Sequence, residues 1–542
     1  MSTNLSPYAG RWVAWAQGQV AGVGETPEAA WRLAQRNRHK ERLTLAYVPA
    51  SGGEPLALPP LLADIRPALA GLAQPVYLVG GAVRDAVLGR ASHDLDFVTP
   101  EGAIRLAFKV ADFLRQPAYV LDQERDTGRV VLPEAETTLD FARFRGADLT
   151  ADLQDRDFTI NAMAMPATAV STADLIDPCN GLSDLAARQI RLARPDALER
   201  VPVRALRALR LALQLAFTLA EETVTAVRAA APSLSQPSIE RVRDELLRLF
   251  DGPAPDRALQ GMLDLGLLPP TLPELAALDD VAQSPPHVYP VFAHTVAVLR
   301  WLVGVETAVF RPDVPLDPAL ELVRQTLAPY AEPVAAHLER AVDGGLNGRL
   351  LLRLGALYHD VGKAATQAVA EDGRIRFLDH ERVGAEMTAR RLRRLALSNQ
   401  TIKHVEAVVA HHMRPLHLAT AVGGPSRRAI YRYFQAAGTA GLDVGLLALA
   451  DHLGTYGGPG PAEGWERLLG VIGRLFAHYF DHHETAVSPT PLLTGSDLIR
   501  ELQLTPGPEI GRLLRLLHEA QAVGEISSRE EALAFARQSH AL

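Results

Sequence analysis

The chain has one cysteine in 542 residues, Cys179, so neither an internal disulfide framework nor a cysteine-rich zinc site can form. A reducing compartment is the expectation. The sequence also lacks an uninterrupted apolar run of about 18 residues, the length that crosses a bilayer, and its first residues lack the basic-then-apolar pattern of an export signal. The expected location is therefore cytoplasmic, with no membrane partner. Positive charge is not in surplus, with 55 Lys and Arg against 63 Asp and Glu and a net charge of −8, so a nucleic acid could be held only by a local concentration of cations. No repeat of fixed period is present. The composition itself, 48% hydrophobic and 22% charged over 542 residues, suits a soluble chain of several domains with substantial cores.

The most informative stretch runs from Val76 to Phe97. The apolar run Val76 to Val79 predicts a strand, Gly80-Gly81 lets backbone amides approach an anion, and Arg84 follows at the start of a predicted helix. This is the pattern of a phosphate cradle. Asp94 and Asp96 alternate with Leu95 and Phe97, so in a strand both carboxylates leave one face while the apolar residues enter the core. Two carboxylates so placed can hold Mg²⁺ against a triphosphate. Taken singly, Gly-Gly also reads as a turn and Asp-Leu-Asp as a solvated strand edge; their conjunction favours the cradle. Farther on, Thr138 to Arg145 alternates like a strand and offers Asp140 on its polar face, a third carboxylate for the cluster. From Arg188 to Arg210 seven arginines face only Asp196 and Glu199, and Arg204, Arg207 and Arg210 share roughly one face of a predicted helix.

The stretch resembles the nucleotide-binding segment of the class II tRNA nucleotidyltransferase and bacterial poly(A) polymerase family, whose pattern is GG-x-VRD followed by D-x-D. Asp152 to Met165 resembles the second motif, usually RRDFTINA, with Arg156, Asp157 and Asn161 matching. Asp177 to Arg191 and Ser238 to Leu247 resemble the third and fifth. The resemblance implies a template-independent RNA nucleotidyltransferase that uses Mg²⁺ at Asp94 and Asp96, with Asp140 nearby as a further catalytic carboxylate. Gly80, Gly81, Arg84 and Asp85 would meet the triphosphate, and Arg145, Arg156, Asp157, Asn161, Arg204 and Arg207 the rest of the nucleotide. The implied partners are tRNA, CTP and ATP. Three positions depart from the pattern. Asp155 replaces the first arginine of the second motif, and Arg200 and Val201 stand where the fourth motif, E-D-x-x-R, has its acidic pair. Valine cannot accept a hydrogen bond from a base amino group. Only Gly146 to Asp155 separates Arg145 from Arg156, too short for the flexible loop of relatives that build a full CCA end, so the resemblance favours addition of two cytidylates over CCA or A.

The second half carries His294, His359-Asp360, His380, His411-His412 and Asp451 at the ends of apolar helical stretches, residue types that suit a divalent metal. The set resembles the HD phosphohydrolase superfamily. That resemblance implies His294, His359, Asp360 and Asp451 as core ligands, His380 and His411 as additional ones, Lys363 near a bound phosphate, and a divalent ion such as Mg, Mn, Ni or Fe.

The implied architecture is an α/β head with a mixed sheet, a mostly helical neck and body, and an all-α HD domain. The expected boundaries are a small α/β module over 1–50, a head over 61–166, a neck and body over 167–280, an HD domain over 284–455 and a helical region over 462–542. Two other readings remain open from sequence: a poly(A) polymerase, and a regulator whose HD domain hydrolyses a nucleotide while the head only binds one.

Overall fold

The computed structural model describes residues 6–540 except 39, 42, 51, 70, 71, 93, 136 and 422. The chain forms two compact units, Met1–Ala230 and Ala231–Leu542. The division falls inside the stretch expected to be one neck and body, so that stretch is shared between the units.

The first unit opens with strands β1 (Arg11–Ala16) and β2 (Gln19–Gly24), helix α1 (Pro27–Asn37) and strand β3 (Thr44–Val48). Gln17 and Gly18 make the hairpin turn with φ of 48° and 77°, the paired positive values that match strand twist. Thr26 caps α1 by accepting from the amide of Ala29 at 3.2 Å. The sheet order is β2-β1-β3, antiparallel throughout. The module is docked rather than tethered: Trp12, Ala14 and Leu45 share one apolar core with Tyr77, Val79, Val98 and Leu153, and Trp12 meets Tyr77 edge-on at 5.6 Å.

After α2 (Pro60–Leu69) the head sheet is built from β4 (Tyr77–Val79), β5 (Asp94–Thr99), β6 (Ala118–Asp122), β7 (Thr127–Leu132), β8 (Thr137–Arg143) and β9 (Ala164–Pro166) in the order β6-β7-β8-β5-β4-β9. Helix α3 (Gly81–Val87) joins β4 to β5 and α4 (Ala103–Leu114) joins β5 to β6. The β5–β8 pair is parallel and the others antiparallel, which makes the sheet mixed as expected. Alternation sorts its faces. Leu95, Phe97, Leu139 and Phe141 are buried, with Phe97 stacked on Phe141 at 4.9 Å, while Asp94, Asp96 and Asp140 leave the opposite face. Helices α5 (Leu149–Gln154), α6 (Gly181–Ala187), α7 (Ala197–Arg200), α8 (Arg204–Leu215) and α9 (Glu221–Ala230) follow.

The second unit is helical apart from two-stranded ribbons. Its Val291–Phe310 helix is long and apolar enough to cross a bilayer by length and composition, but it is mostly buried and carries His294 and Glu306. Glu306 accepts from Arg353 Nε at 2.8 Å and Nη2 at 2.6 Å, and Arg353 Nη1 also reaches the carbonyls of Phe250 and Gly252. This buried charge pair is fully satisfied, the condition under which burial is tolerated. The last helices, Gly495–Leu502, Pro508–Val523 and Arg529–His540, close around Leu498, Leu513 and Leu517, the first of them started by a reciprocal Thr494–Asp497 capping box.

Candidate active sites

In the head, chain entry into α3 shapes the first site. Gly80 has φ of 75°, a conformation that disfavours side chains. A Cβ there would stand 3.1 Å from Arg156 Nη1 and 3.6 Å from Asp96 Oδ2. The strand end therefore brings bare backbone up to a guanidinium and a carboxylate. Arg84, buried on α3, donates Nε and Nη2 to Asp85 at 2.9 and 2.8 Å and Nη1 to Asn161 Oδ1 at 2.7 Å. Asn161 Nδ2 donates to Asp157 Oδ1 at 3.0 Å, and Arg207 Nη1 donates to Asp157 Oδ2 at 3.0 Å. Arg84, Asn161, Asp157 and Arg207 thus form one hydrogen-bonded chain linking α3, the second motif and α8. Burial alone would raise the Asp157 carboxyl, but Arg207, Asn161 and the Phe158 amide outweigh it and lower it.

Asp94 and Asp96 project together from β5, as their alternation predicts. Asp94 Oδ1 accepts from Thr138 at 2.9 Å. The Asp96 carboxyl is raised, chiefly by the mass of protein around it; Arg156 opposes this, and Asp140 and Asp94 add to it. Like charges gathered on one face, with the most enclosed held above its ordinary value, form a donor set that a divalent cation satisfies. Asp140 lies beside Asp96 in the β5–β8 register, but both its oxygens accept from Arg129, Nε and Nη2 each at 2.6 Å. Arg145 is exposed and joins the group through its backbone amide, which donates to Asp152 Oδ1 at 2.9 Å. Asp152, buried, also accepts from Arg156 at 3.0 Å. The sequence reading missed Arg129 and Asp152, because a lone arginine on a strand and a lone acid before a motif carry no local signal.

The departures in the second and fourth motifs meet in space. Asp155 accepts from Arg200, and from Arg194 at 3.4 Å, while its carbonyl accepts from buried Arg204 Nη2 at 2.9 Å. Acid and base have exchanged sides relative to the family's sequence pattern, and here the two form an ion pair. Val201 ends α7 and leaves no side-chain acceptor there.

The second unit holds the other site. His359, His380 and His412 each place Nδ1 within 2.7 to 2.9 Å of the carbonyl three residues earlier, of Ala356, Phe377 and Val409. A carbonyl can only accept, so these Nδ1 atoms carry protons and each ring turns its Nε2 inward. His359 Nε2 faces His294 Nε2 at 3.3 Å and His380 Nε2 faces His412 Nε2 at 3.4 Å. Asp360 stands between the two pairs. Its Oδ2 is 3.2 Å from His359 and 3.5 Å from His294, and its Oδ1 is 3.4 Å from His380 and 3.9 Å from His412. Asp451 closes the first group at 3.1 Å from His294 Nε2. Converging acceptors of this kind fit divalent metal ions, in two groups that share one carboxylate. Burial alone would raise Asp360, but Lys363, 2.6 Å away, and His359 hold it well below the usual range.

The expectation for His411 is corrected. Its Nε2 lies 3.1 Å from the carbonyl of Ala436, outside the cluster, and buried His412 takes the place. Adjacent helical residues point about 100° apart, and only tertiary packing decides which faces inward.

Family models match in the order the geometry suggests: the poly(A) polymerase head domain over residues 76–191, the RNA-binding region of polymerase A over 216–278, the HD domain over 333–454 and tRNA nucleotidyltransferase domain 2 over 482–536. The A-adding tRNA nucleotidyltransferase of Deinococcus radiodurans is 35% identical over 476 residues, 87% of this chain and 96% of that protein. The chain belongs to the tRNA nucleotidyltransferase family. The CC-adding enzyme of Thermus thermophilus is 33% identical over 467 residues, 85% of this chain and 92% of that one. A solved CCA-adding enzyme in complex with CTP shares the fold at TM-score 0.55 and 19% identity, covering 89% of this chain and 94% of its own. This nucleotidyltransferase is thus a template-independent enzyme with an HD domain in its second unit, and domains of both kinds are generally metal-dependent. His294 precedes the matched HD segment, and its place in the cluster comes from the geometry alone.

Proposed function

We propose that this nucleotidyltransferase adds cytidylates to the 3′ end of tRNA, using CTP, and that its HD cluster hydrolyses a phosphate ester. The observation that carries the first part is the approach of the Gly80 backbone to Arg156 and to Asp96 of the Asp94–Asp96 pair. The Gly80-Gly81 backbone and Arg84 bind the triphosphate, Arg156 neutralises it beside Asp96, and the Asp157–Arg207 pair fixes α8 against the sugar-binding motif. Asp94 and Asp96 would hold Mg²⁺, which when bound lowers the pKa of the RNA 3′ hydroxyl and stabilises the pyrophosphate leaving group. Arg204, locked to the Asp155 carbonyl, faces the base with donors only.

Restriction to two cytidylates is supported by the segment between Arg145 and Arg156. It is taken up by α5, capped by Asp148 and tied down by Asp152, and leaves no free loop. Addition of A is the second reading, favoured by the similarity to the Deinococcus enzyme. Extension of tRNA lacking its last three nucleotides, with CTP alone, ATP alone and both, separates them at single-nucleotide resolution. Two additions with CTP and none with ATP are expected. A single A added to a CC-ended acceptor would instead establish the second reading.

For the HD cluster, Lys363 lies beside Asp360 and donates to Gln283 at 2.7 Å, a cation placed for a phosphoryl oxygen. A cluster holding every expected ligand type supports phosphatase or 2′,3′-cyclic phosphodiesterase activity on RNA ends over a bare scaffold.

A further inference from the structure

We infer that Arg129 is a positioning residue of the transfer site: by clamping Asp140 it sets the number of carboxylates open to a divalent cation at two. The inference rests on the assignment of Asp94 and Asp96 as the cation-holding pair. Strand register lines up Tyr119, Arg129, Asp140, Asp96 and Val79 across five neighbouring strands. Within that row Arg129 meets Asp140 fork to fork, both bonds at 2.6 Å, the geometry of a strong charge-assisted pair. Asp140 raises the guanidinium above its ordinary value against the opposing effect of burial, and neighbouring Tyr119 adds to the rise. The pair is partly buried, with side chains 32% and 22% exposed, so it is screened less than a surface pair. Without Arg129, three carboxylates would share one face of adjacent strands and offer a denser anionic site. With it, Asp140 is neutralised in place, and the cation is left to Asp94, Asp96 and the triphosphate.

A plain cross-strand ion pair would stabilise the sheet and leave metal affinity alone. The two roles separate in a Mn²⁺ titration of the full chain with CTP, read by electron paramagnetic resonance, alongside the Mg²⁺ dependence of CMP addition. The HD cluster contributes the same background to each protein compared. Arg129→Gln frees Asp140 and is expected to tighten Mn²⁺ binding at the head by about threefold to tenfold, since affinity follows ligand charge. Asp140→Asn leaves the Arg129 cation uncompensated and weakens binding by a similar factor. In the double variant binding returns to within about twofold of the parent, the signature of a coupled pair. Arg129→Lys, which keeps the charge and gives up the fork, falls between the parent and Arg129→Gln, and it serves if Arg129→Gln does not fold. Equal Mn²⁺ binding by the parent and Arg129→Gln, with Asp140→Asn alone weakened, would overturn the inference by making Asp140 a ligand in its own right. Asp94→Asn is the control on the underlying assignment: if it leaves both Mn²⁺ binding and addition intact, the assignment fails, whatever Arg129 does.

Discussion

Asp96 is a side chain that costs the fold and that the proposed reaction requires. Its carboxyl is raised by the surrounding protein and by Asp140 and Asp94. A folded-state value above the unfolded one favours the fold at acid pH, and that contribution is lost as pH rises through the folded value. Asp96 therefore becomes a cost to the metal-free fold as pH rises through that value. Asp96→Asn should raise the thermal midpoint of the metal-free protein by about 2 °C or more while abolishing nucleotide addition. Scanning calorimetry in chelator and an extension assay check the two halves, and a lower midpoint with addition lost would mean the carboxylate is structural. The sequence disclosed Asp96 because its signal is local: Gly-Gly, Val-Arg-Asp and Asp-Leu-Asp lie within one short stretch. Arg129 and the Asp155–Arg200 pair were not legible, since each acquires meaning only from a partner brought from another element.

At the scale of elements, alternation predicted the strands around the first site. A helix gives less away. His411 and His412 are both compatible with an apolar helical stretch, and only the packing of that helix turns His412 inward. His412→Ala should lose about half of the divalent metal retained by the second unit, because one of two groups loses a ligand, whereas His411→Ala should retain all of it. Metal analysis of the purified variants decides, and loss in His411→Ala would reverse the assignment. The docking of the N-terminal module leaves its own titration mark. Burial, and then Asp174, push the Tyr47 hydroxyl from 10.0 up to about 12, so its stabilising contribution is present below pH about 10 and is lost as pH rises towards about 12. In Tyr47→Phe the alkaline fall in urea midpoint should be shallower than in the parent; an unchanged slope would assign the fall to other groups.

For the whole molecule, the two clusters of catalytic type lie in separate compact units, each with its own ligands and core. Asp94→Ala should abolish nucleotide addition and leave hydrolysis of a 2′,3′-cyclic nucleotide by the HD cluster unchanged, and His359→Ala should do the reverse. Assays of both activities on each variant test this, and loss of both in either variant would show that the reactions depend on one another. The order of domains was readable because each motif announces its own chemistry. The division at Ala230 was not, since it depends on which helices share a core rather than on any breaker in the sequence.

The row of side chains across the head sheet has a consequence for how this protein is made. Asp96 and Asp140 are neighbours because β5 and β8 are aligned residue for residue, and the Phe97–Phe141 stack on the reverse face helps to hold that alignment. An offset of one position would put Leu139 or Phe141 beside Asp96 and drive the neighbouring acid into the interior. Such a misassembled sheet would be an inert enzyme rather than a slow one. Quality control of folding and selection for catalysis therefore act here on the same few greasy side chains, all of them buried behind the acidic face.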